Sequence, residues 1–176
     1  NLNFQEENSF CYENERKNCS VYGRLYMWDA AIKSCPKGWH LPSKEEMNGI
    51  SDLQVNELKS SKGWCDDRNG EDLFMFSAIP AGLRDEKALY YDNGYSANFW
   101  SSTEGYSGFA CGLHIKYDRD DVLLSVDDKN SAYSVRCVLD DDAIVKHGVP
   151  KKLLGENKNS VVIGDGLAGL FGGEGG

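Results

Sequence analysis

Six cysteines constrain the fold of this chain more than any other feature of its sequence. They stand at positions 11, 19, 35, 65, 111 and 137. Zinc sites need closely paired cysteines such as C-x2-C, whereas the spacings here are 8, 16, 30, 46 and 26 residues. Disulfides are therefore favoured over metal ligation or free thiols, and they indicate an oxidising compartment. Many connectivities are possible, and the spacing alone does not choose among them.

Composition narrows the class of protein. A chain of 176 residues can form one domain with an ordinary core. Residues 1–139 carry 22 acidic and 15 basic side chains, which accounts for −7 of the total charge of −9. Such a surface repels phosphate backbones and shows no basic stripe, so nucleic acid is not an expected partner. No apolar run of about 18 residues occurs, so no membrane span is predicted.

Local patterns predict helices in the first half of the chain and strands in the second. Apolar residues at helical spacing predict a helix over residues 22–34, which Pro36 ends. Ser43 and Glu46 match a capping box and predict a second helix over residues 44–53. Strands are predicted at Phe74–Ala78, Ala88–Tyr91, Phe99–Ser102, Phe109–Lys116, Val122–Val126 and Tyr133–Leu139. Two helices followed by a strand-rich half predict an α+β domain.

The character of the chain changes after residue 139. An acidic run begins at Asp140, and residues 164–176 include seven glycines among thirteen positions. Such low-complexity composition cannot repay its own ordering entropy. We therefore predict a domain over residues 1–139, followed by a mobile linker and Gly-rich tail over residues 140–176.

Several runs of sequence resemble a known family. They are CPKGWHLPS at 35–43, FWSSTE at 99–104, SVRCV at 134–138, NLNF at 1–4 and FSAIPAGLR at 76–84. In this order they resemble the Fibrobacter succinogenes major paralogous (FISUMP) domain family. That family is a set of bacterial extracytoplasmic modules related to the C-type lectin-like fold, and as a whole it has no settled activity.

The resemblance carries expectations about architecture and location. It implies a C-type lectin-like α+β domain in which two helices pack on a twisted, mainly antiparallel sheet. It also implies a secreted or cell-surface protein, either periplasmic or associated with the outer membrane. Because the family pattern begins upstream of residue 1, a further strand-rich segment is expected there, and the sequence leaves open whether a signal peptide or lipid anchor precedes it.

The resemblance also suggests how the cysteines pair. In C-type lectin-like domains the cysteine after the first helix pairs with one in the last strand, which implies Cys35–Cys137. Cys11 and Cys19 are close in sequence within a polar surface loop over residues 5–20, which predicts a local pair. Cys65 and Cys111 are then left for each other.

An acidic run is the best candidate for a metal site. An EF-hand is excluded, because Cys65 and Phe76 would stand at its first and twelfth ligand positions. An irregular calcium site remains open, as does a solvated acidic turn; its donors would be Asp66, Asp67, Asn69 and Asp72. The calcium-binding triplets of sugar-binding C-type lectins do not occur, so calcium-dependent sugar binding is not implied. No other cofactor is expected.

No catalytic residue is predicted. His40 follows Trp39 beside a probable bridge, and we expect its ring to pack in the domain and bond the backbone. His40, His114 and His147 lack the paired spacing of a metal site. Ser107 lies in a partial G-x-S-x-G pattern, but Phe109 occupies the last glycine position.

Aromatic and polar residues cluster between Asp85 and Tyr106. The predicted ligand-binding residues are Tyr90, Tyr91, Asp92, Asn93, Tyr95 and Tyr106. Exposed tyrosines offer large contact areas, and the neighbouring Asp and Asn can orient hydrogen bonds to a hydroxylated ligand. The alternative is that most of these aromatics, Phe99 among them, pack inward.

Three functions compete. The favoured one is a non-enzymatic, extracytoplasmic recognition or display module, expected to be monomeric, that binds a glycan or a cell-surface protein. The second is a purely structural domain without a ligand. The third is an enzyme, which would require a cleft that joins His40 or His114 to buried acids.

Overall fold

A computed structural model describes residues 1–140, and the predicted tail therefore lies almost wholly outside the described residues. Its helices are α1 (Arg16–Tyr22), α2 (Trp28–Ser34), α3 (Lys44–Ser51) and α4 (Val55–Leu58). Its first five strands are β1 (Ser9–Phe10), β2 (Leu25–Met27), β3 (Trp39–His40), β4 (Leu83–Arg84) and β5 (Tyr90–Tyr91). The others are β6 (Ser96–Glu104), β7 (Phe109–Lys116), β8 (Leu123–Asp128), β9 (Ala132–Tyr133) and β10 (Val138–Leu139).

Three antiparallel sheets make up the β structure of the described residues. The longest strands form a sheet in the order β6-β7-β8, and a five-stranded sheet has the order β1-β2-β9-β4-β5. The third sheet pairs β3 with β10. The strand pairs within all three sheets are antiparallel. The short strands β1–β3 alternate with the helices, and the long strands β6–β8 follow them. Because helices combine with sheets whose strands pair antiparallel, the α+β class is confirmed.

The β6–β7 hairpin is buried on both of its faces. On one face, helices α3 and α4 supply apolar side chains to a core that comprises Met47, Ile50, Val55, Leu58, Trp64, Phe76, Ala78, Ala97, Phe99, Leu113 and Ile115. On the other face, the core comprises Tyr26, Ala30, Ala31, Leu41, Trp100, Ala110, Tyr133 and Val135. Because side chains alternate along a strand, neighbouring residues such as Phe99 and Trp100 enter different cores.

Trp100 anchors the second core. Its indole stacks on Tyr133 with ring centroids 4.3 Å apart, and its Nε1–H donates to the Tyr26 carbonyl at 2.8 Å. Tyr26 in turn donates its hydroxyl to the Phe4 carbonyl at 2.6 Å. A buried indole or phenol needs such a partner, and here both find one across the sheets.

The prediction of one helix over residues 22–34 is wrong in its first half. Residues Leu25–Met27 form β2, which pairs with β1 and β9, and the helix begins only at Trp28. Tyr26 lies opposite Tyr133 in that ladder. Pairing with distant strands has therefore overridden a local helical pattern. The predicted loop over residues 5–20 likewise contains a helix, α1.

The second helix follows its local signal. The Ser43 hydroxyl accepts the Glu46 N–H at 3.2 Å, and the Glu46 carboxylate accepts the Ser43 N–H at 2.7 Å. This confirms the capping box, although α3 ends at Ser51 and the separate short helix α4 follows.

The predicted strands agree with the structure to different extents. The strand Phe109–Lys116 is confirmed to the residue, and three others are shifted or resized. Residues Tyr133–Leu139 divide into β9 and β10. Phe74–Ala78 is not a strand, because hydrogen bonds from Ser77 to the Asp72 carboxylate hold this segment in a turn.

Two disulfides form, Cys11–Cys19 and Cys35–Cys137. The second joins the residue after α2 to the residue before β10. It thereby fixes β10 against β3, since Val138 pairs with His40.

The predicted Cys65–Cys111 pair is wrong, since both thiols are free. The Cys65 N–H donates to the Gly94 carbonyl at 2.9 Å, beside the end of the hairpin where Ser96 pairs with Lys116. Cys111 lies towards the other end of β7. The stretch of β7 from Cys111 to Lys116 spans about 17 Å at a rise of ~3.4 Å per residue. A bridge requires Cα atoms within about 7 Å.

Within residues 1–140, no helix has the length and apolar character needed to cross a bilayer.

Removal of the Cys35–Cys137 bridge should cost more stability than removal of Cys11–Cys19. The first bridge joins residues 102 apart and the second joins residues 8 apart. Chain entropy assigns the longer loop about 4–5 kcal/mol and the shorter one about 2–3 kcal/mol. Urea unfolding of the C35S/C137S and C11S/C19S variants measures both. An equal or larger loss from the Cys11–Cys19 pair would contradict the entropic account.

Candidate functional site

The turn between β5 and β6, residues 91–95, carries most of the predicted ligand-binding residues; we call it the tyrosine turn. The Asp92 carbonyl accepts the N–H groups of Tyr95 and Ser96 at 2.9 and 3.0 Å. Gly94 donates to the Pro80 carbonyl at 2.9 Å and accepts from Cys65. Main-chain bonds therefore hold the turn at both sides.

Gly82, the residue before β4, allows the main chain of the tyrosine turn to pack closely against it. A Cβ at this position would lie 2.2 Å from the Tyr91 carbonyl oxygen and 2.7 Å from the Asn93 nitrogen. Its φ of +68° also belongs to the left-handed region that favours glycine. The main chain of the turn is thus packed directly on β4.

Two tyrosines of the turn face solvent. Tyr91 is 45% exposed and Tyr95 is 43% exposed. The Tyr95 ring meets Tyr117 edge-on with centroids 5.0 Å apart. Asp92, between them in sequence, is also exposed. The turn therefore presents aromatic surface beside a carboxylate.

Asn93 adds an unused donor to the tyrosine turn. Its Nδ2 atom is shielded from solvent and has no hydrogen-bond partner among the described residues. Buried polar atoms are almost always hydrogen-bonded, so an unpaired amide requires an explanation. Because the atom is shielded, an acceptor on a bound molecule would reach it only after the Asn93 side chain rotated outward.

Tyr90 has a different role from the other tyrosines. Its ring lies 5.3 Å from that of Tyr12, and its hydroxyl donates to Asn14 Oδ1 at 2.9 Å. Burial is the largest cause that raises the pKa of the Tyr90 phenol. Tyr90 therefore braces the loop closed by Cys11–Cys19 against β5.

Tyr106 does not join the tyrosine turn. It is 63% exposed in the connection between β6 and β7, where its ring packs on Phe109 at 4.5 Å. The nine residues of β6 separate this connection from the turn, about 30 Å at the usual rise of a strand. Phe99 is buried in the core. The predicted surface between Asp85 and Tyr106 is thus two separate regions.

The predicted calcium donors serve the loop itself. Asn69 Oδ1 accepts the Trp64 N–H at 3.0 Å, and the Asp72 carboxylate accepts both the N–H and the hydroxyl of Ser77. Asp66 and Asp67 are exposed. No group of three or more His, Cys, Asp or Glu that could hold a metal ion occurs within residues 1–140.

His40 bonds side chains rather than the backbone, so its expected role is corrected. Its Nδ1 lies 2.6 Å from Asp140 Oδ1 and its Nε2 lies 2.9 Å from Glu46 Oε1. Partial burial alone would lower the pKa of His40, but the hydrogen bonds to Asp140 and Glu46 outweigh it and raise the pKa. Burial would likewise raise the pKa of Glu46, yet hydrogen bonds from Ser43 and His40 lower it.

A second histidine lies in a polar network that the sequence did not reveal. Asn98 Nδ2 donates to the Gly82 carbonyl at 2.9 Å, which leaves its Oδ1 to face His114 Nδ1 at 2.8 Å. On the other side of the ring, Nε2 lies 2.9 Å from Asp127 Oδ2 and 2.7 Å from Ser125 Oγ. Strand register brings these residues together. Asn98 on β6 lies opposite His114 on β7, and Ser125 on β8 lies opposite Gly112, two residues before His114.

Charge within this network centres on Asp127. Its burial would raise its pKa, but hydrogen bonds from His114, Ser125 and Tyr133 outweigh that effect and lower it. Burial is the main cause that raises the pKa of the Tyr133 phenol, and the negative charge of Asp127 adds to it. The network thus keeps Asp127 ionised in the protein interior.

The network brings together a serine, a histidine and an acid, but not as a nucleophilic triad. A general base needs a free Nε2 lone pair to take the serine proton. Here Asp127 Oδ2 faces that same Nε2 and also accepts the Ser125 hydroxyl at 2.7 Å. The carboxylate of Asp127 therefore occupies both the ring nitrogen and the hydroxyl that a nucleophilic pair would need.

Comparison with known proteins places the chain in one family. The family model described as the Fibrobacter succinogenes major domain matches residues 1–139. No curated protein and no solved structure shows a significant match.

Stability should depend on pH through His40. The raised pKa means that its contribution is complete below about pH 6.5, the ordinary value, and is lost as pH rises through the folded value. The lowered pKa of Glu46 means that its contribution is present above about pH 4.5 and is lost on acidification. The groups are partly exposed, so the effect is at most about 1 kcal/mol.

Unfolding free energies of the wild type and of His40→Gln, measured across this range, check the assignment. The difference between the two proteins should shrink as pH rises above 6.5. A difference that does not change with pH would show that the charge of His40 makes no contribution to stability.

Substitution of Gly112 should disrupt the His114 network. A Cβ at Gly112 would lie 2.9 Å from Asp127 Oδ2 and 3.1 Å from His114 Nε2. Gly112→Ala should therefore lower the free energy of unfolding by about 1–3 kcal/mol. Because Asp127→Ala removes the nearer atom, the double variant should lose less than the sum of the single losses. Chemical unfolding measures all three variants. If the losses of the two single variants simply add in the double variant, the strain in Gly112→Ala does not come from contact with Asp127.

Proposed function

Because the chain belongs to the Fibrobacter succinogenes major domain family, we propose that it is a non-enzymatic, extracytoplasmic recognition module of a bacterial surface or secreted protein. Two disulfides support that location, since such bonds persist in oxidising compartments. Both disulfides lie within residues 1–139, the range that the family model matches.

The proposal includes a C-type lectin-like fold. Its support is the Cys35–Cys137 bridge, which joins the end of α2 to the start of the last described strand, β10. The curled antiparallel sheet with helices packed on it is in keeping with such a fold. Fold alone does not assign a ligand, so the ligand class must come from the surface.

The tyrosine turn carries the functional proposal. Tyr91 and Tyr95 offer exposed aromatic faces, and Asn93 offers a shielded amide N–H without a partner. Aromatic faces stack on the apolar faces of sugar rings, while amide and carboxylate groups bond their hydroxyls. The main-chain bonds of the turn reduce the entropy lost on binding. The ligand class that fits this combination is a glycan.

The non-enzymatic part of the proposal rests on the two histidines within residues 1–140. His40 is held between two carboxylates, and His114 Nε2 faces Asp127. In both cases the ring nitrogens are engaged by acceptors within the protein. A catalytic base would need one of them directed at a substrate.

Binding to a glycan array should depend on the tyrosine turn. The double variant Y91A/Y95A should weaken binding of any recognised oligosaccharide by about tenfold or more, the cost of a removed aromatic contact. Asn93→Asp should also weaken it, because a donor becomes an acceptor. Tyr106→Ala is the matched control and should leave binding unchanged. Isothermal titration with the selected oligosaccharide measures each variant.

Three results would count against this proposal. Loss of binding in Y106A alone would move the contact surface to the β6–β7 connection. Capture of only a cell-surface protein would replace the glycan as ligand. Absence of binding to both classes would favour a structural or display domain.

A further inference from the structure

One short loop exposes three consecutive apolar side chains; we call Leu73, Phe74 and Met75 the apolar loop. Their exposed fractions are 60%, 52% and 67%. Within residues 1–140 it is the only run of three large exposed hydrophobic residues. Scattered surface hydrophobics are ordinary, but a contiguous group marks an interaction site.

The apolar loop is held in a defined conformation. Met75 N–H donates to the Asp72 carbonyl at 3.1 Å, and Ser77 N–H donates to Asp72 Oδ1 at 2.6 Å. The Ser77 carbonyl accepts from Arg136 Nη2 at 2.8 Å. Next in the chain, Phe76 is buried and meets Phe99 edge-on at 5.5 Å. The loop is thus anchored on both sides while its three side chains point away from the core.

Backbone geometry supports a functional origin for this exposure. Asp72, Met75 and Ser77 have φ values of 52°, 52° and 48°, in the left-handed region that non-glycine residues seldom adopt. Each such residue costs free energy, and such costs concentrate at binding sites. These φ angles bend the chain within and around the apolar loop, where its three side chains are exposed.

The charge beside the apolar loop selects among its possible occupants. Residues 66–72 hold four carboxylates, Asp66, Asp67, Glu71 and Asp72, against one cation, Arg68. The Asp72 carboxylate is bonded to Ser77, whereas Asp66, Asp67 and Glu71 are exposed. An anionic lipid surface would be repelled, and so would a second copy of a chain with charge −9. A basic surface would be attracted.

We propose that the apolar loop docks into an apolar pocket with a basic rim on a partner protein. Phe74 is the central anchor, flanked by Leu73 and Met75. Glu71 and Asp67 face the lysine or arginine side chains of the rim. The apolar loop shares no residue with the tyrosine turn, and the proposal does not depend on glycan binding.

A displayed library of small folded domains provides the probe. All members carry a randomised apolar pocket; half are rimmed by Lys and Arg and half by Asp and Glu. Binders to the full chain should come from the basic half. The variant L73S/F74S/M75S should weaken them by about 30-fold, the loss expected of an interface anchor. The substituted side chains are exposed, so the fold should be retained, which circular dichroism verifies.

Matched variants separate the apolar from the electrostatic contribution. Val21→Ser removes another hydrophobic residue of 60% exposure and should leave binding unchanged. D67K/E71K should weaken the basic-rimmed binders, whereas Glu7→Lys, at another exposed site, should have little effect. Added salt should weaken binding to the wild type.

Several outcomes would overturn the proposal. Binders drawn equally from both halves of the library would remove the charge argument. Binding that survives L73S/F74S/M75S would place the contact elsewhere. Loop-dependent binding to phosphatidylcholine–phosphatidylglycerol vesicles would make the occupant a membrane. Loop-dependent self-association in sedimentation would make it a second copy.

Discussion

Burial of the β6–β7 hairpin on both faces is the constraint on which the rest of the structure depends. Side chains alternate along its strands, so one face packs on α3 and α4 while the other packs around Trp100 and Tyr133. Any polar side chain on this hairpin must then find partners inside the protein. Asn98 and His114 do so through each other, and through Asp127 and Ser125 on the adjoining strand. The network of the interior is thus a consequence of the central position of the hairpin.

A doubly buried hairpin leaves its ends and the surrounding loops as the places for recognition. The tyrosine turn lies at one end, and the connection that holds Tyr106 lies at the other. The apolar loop lies beside the first core, where Phe76 and Phe99 anchor it. A rigid interior can thus carry separate surfaces with different chemistry: aromatic and hydrogen-bonding at the turn, apolar and acidic at the loop. Their preformed backbones reduce the entropy that binding must overcome.

Sequence patterns were reliable where the signal was local. The Ser43–Glu46 capping box and strand Phe109–Lys116 appear as expected, because both depend on neighbouring residues or on a long run of strand-forming ones. The helical pattern at Leu25–Met27 is misleading, because the backbone of this segment forms its hydrogen bonds with the distant strands β1 and β9. Phe74–Ala78 was mistaken for a strand, because the Asp72 carboxylate bonds Ser77 and bends the chain. The first difference arises because long-range pairing has no signature in a short window of sequence. The second arises because a side-chain bond to the nearby backbone is not part of the apolar pattern that predicts a strand.

The sequence by itself determined the family, the α+β class and the acidic surface, and the resemblance it carries pointed to the Cys35–Cys137 bridge. These follow from composition, motif order and short-range periodicity. Only the tertiary structure decided four features: the separation of Cys65 from Cys111, the distance of Tyr106 from Tyr91 and Tyr95, the His114 network, and the outward apolar loop. The first three depend on how the strands pair, which brings together or separates residues far apart in the chain. The fourth depends on the hydrogen bonds between Asp72 and Ser77. A shift of one residue would reverse the faces of a strand, so register settles which side chains meet.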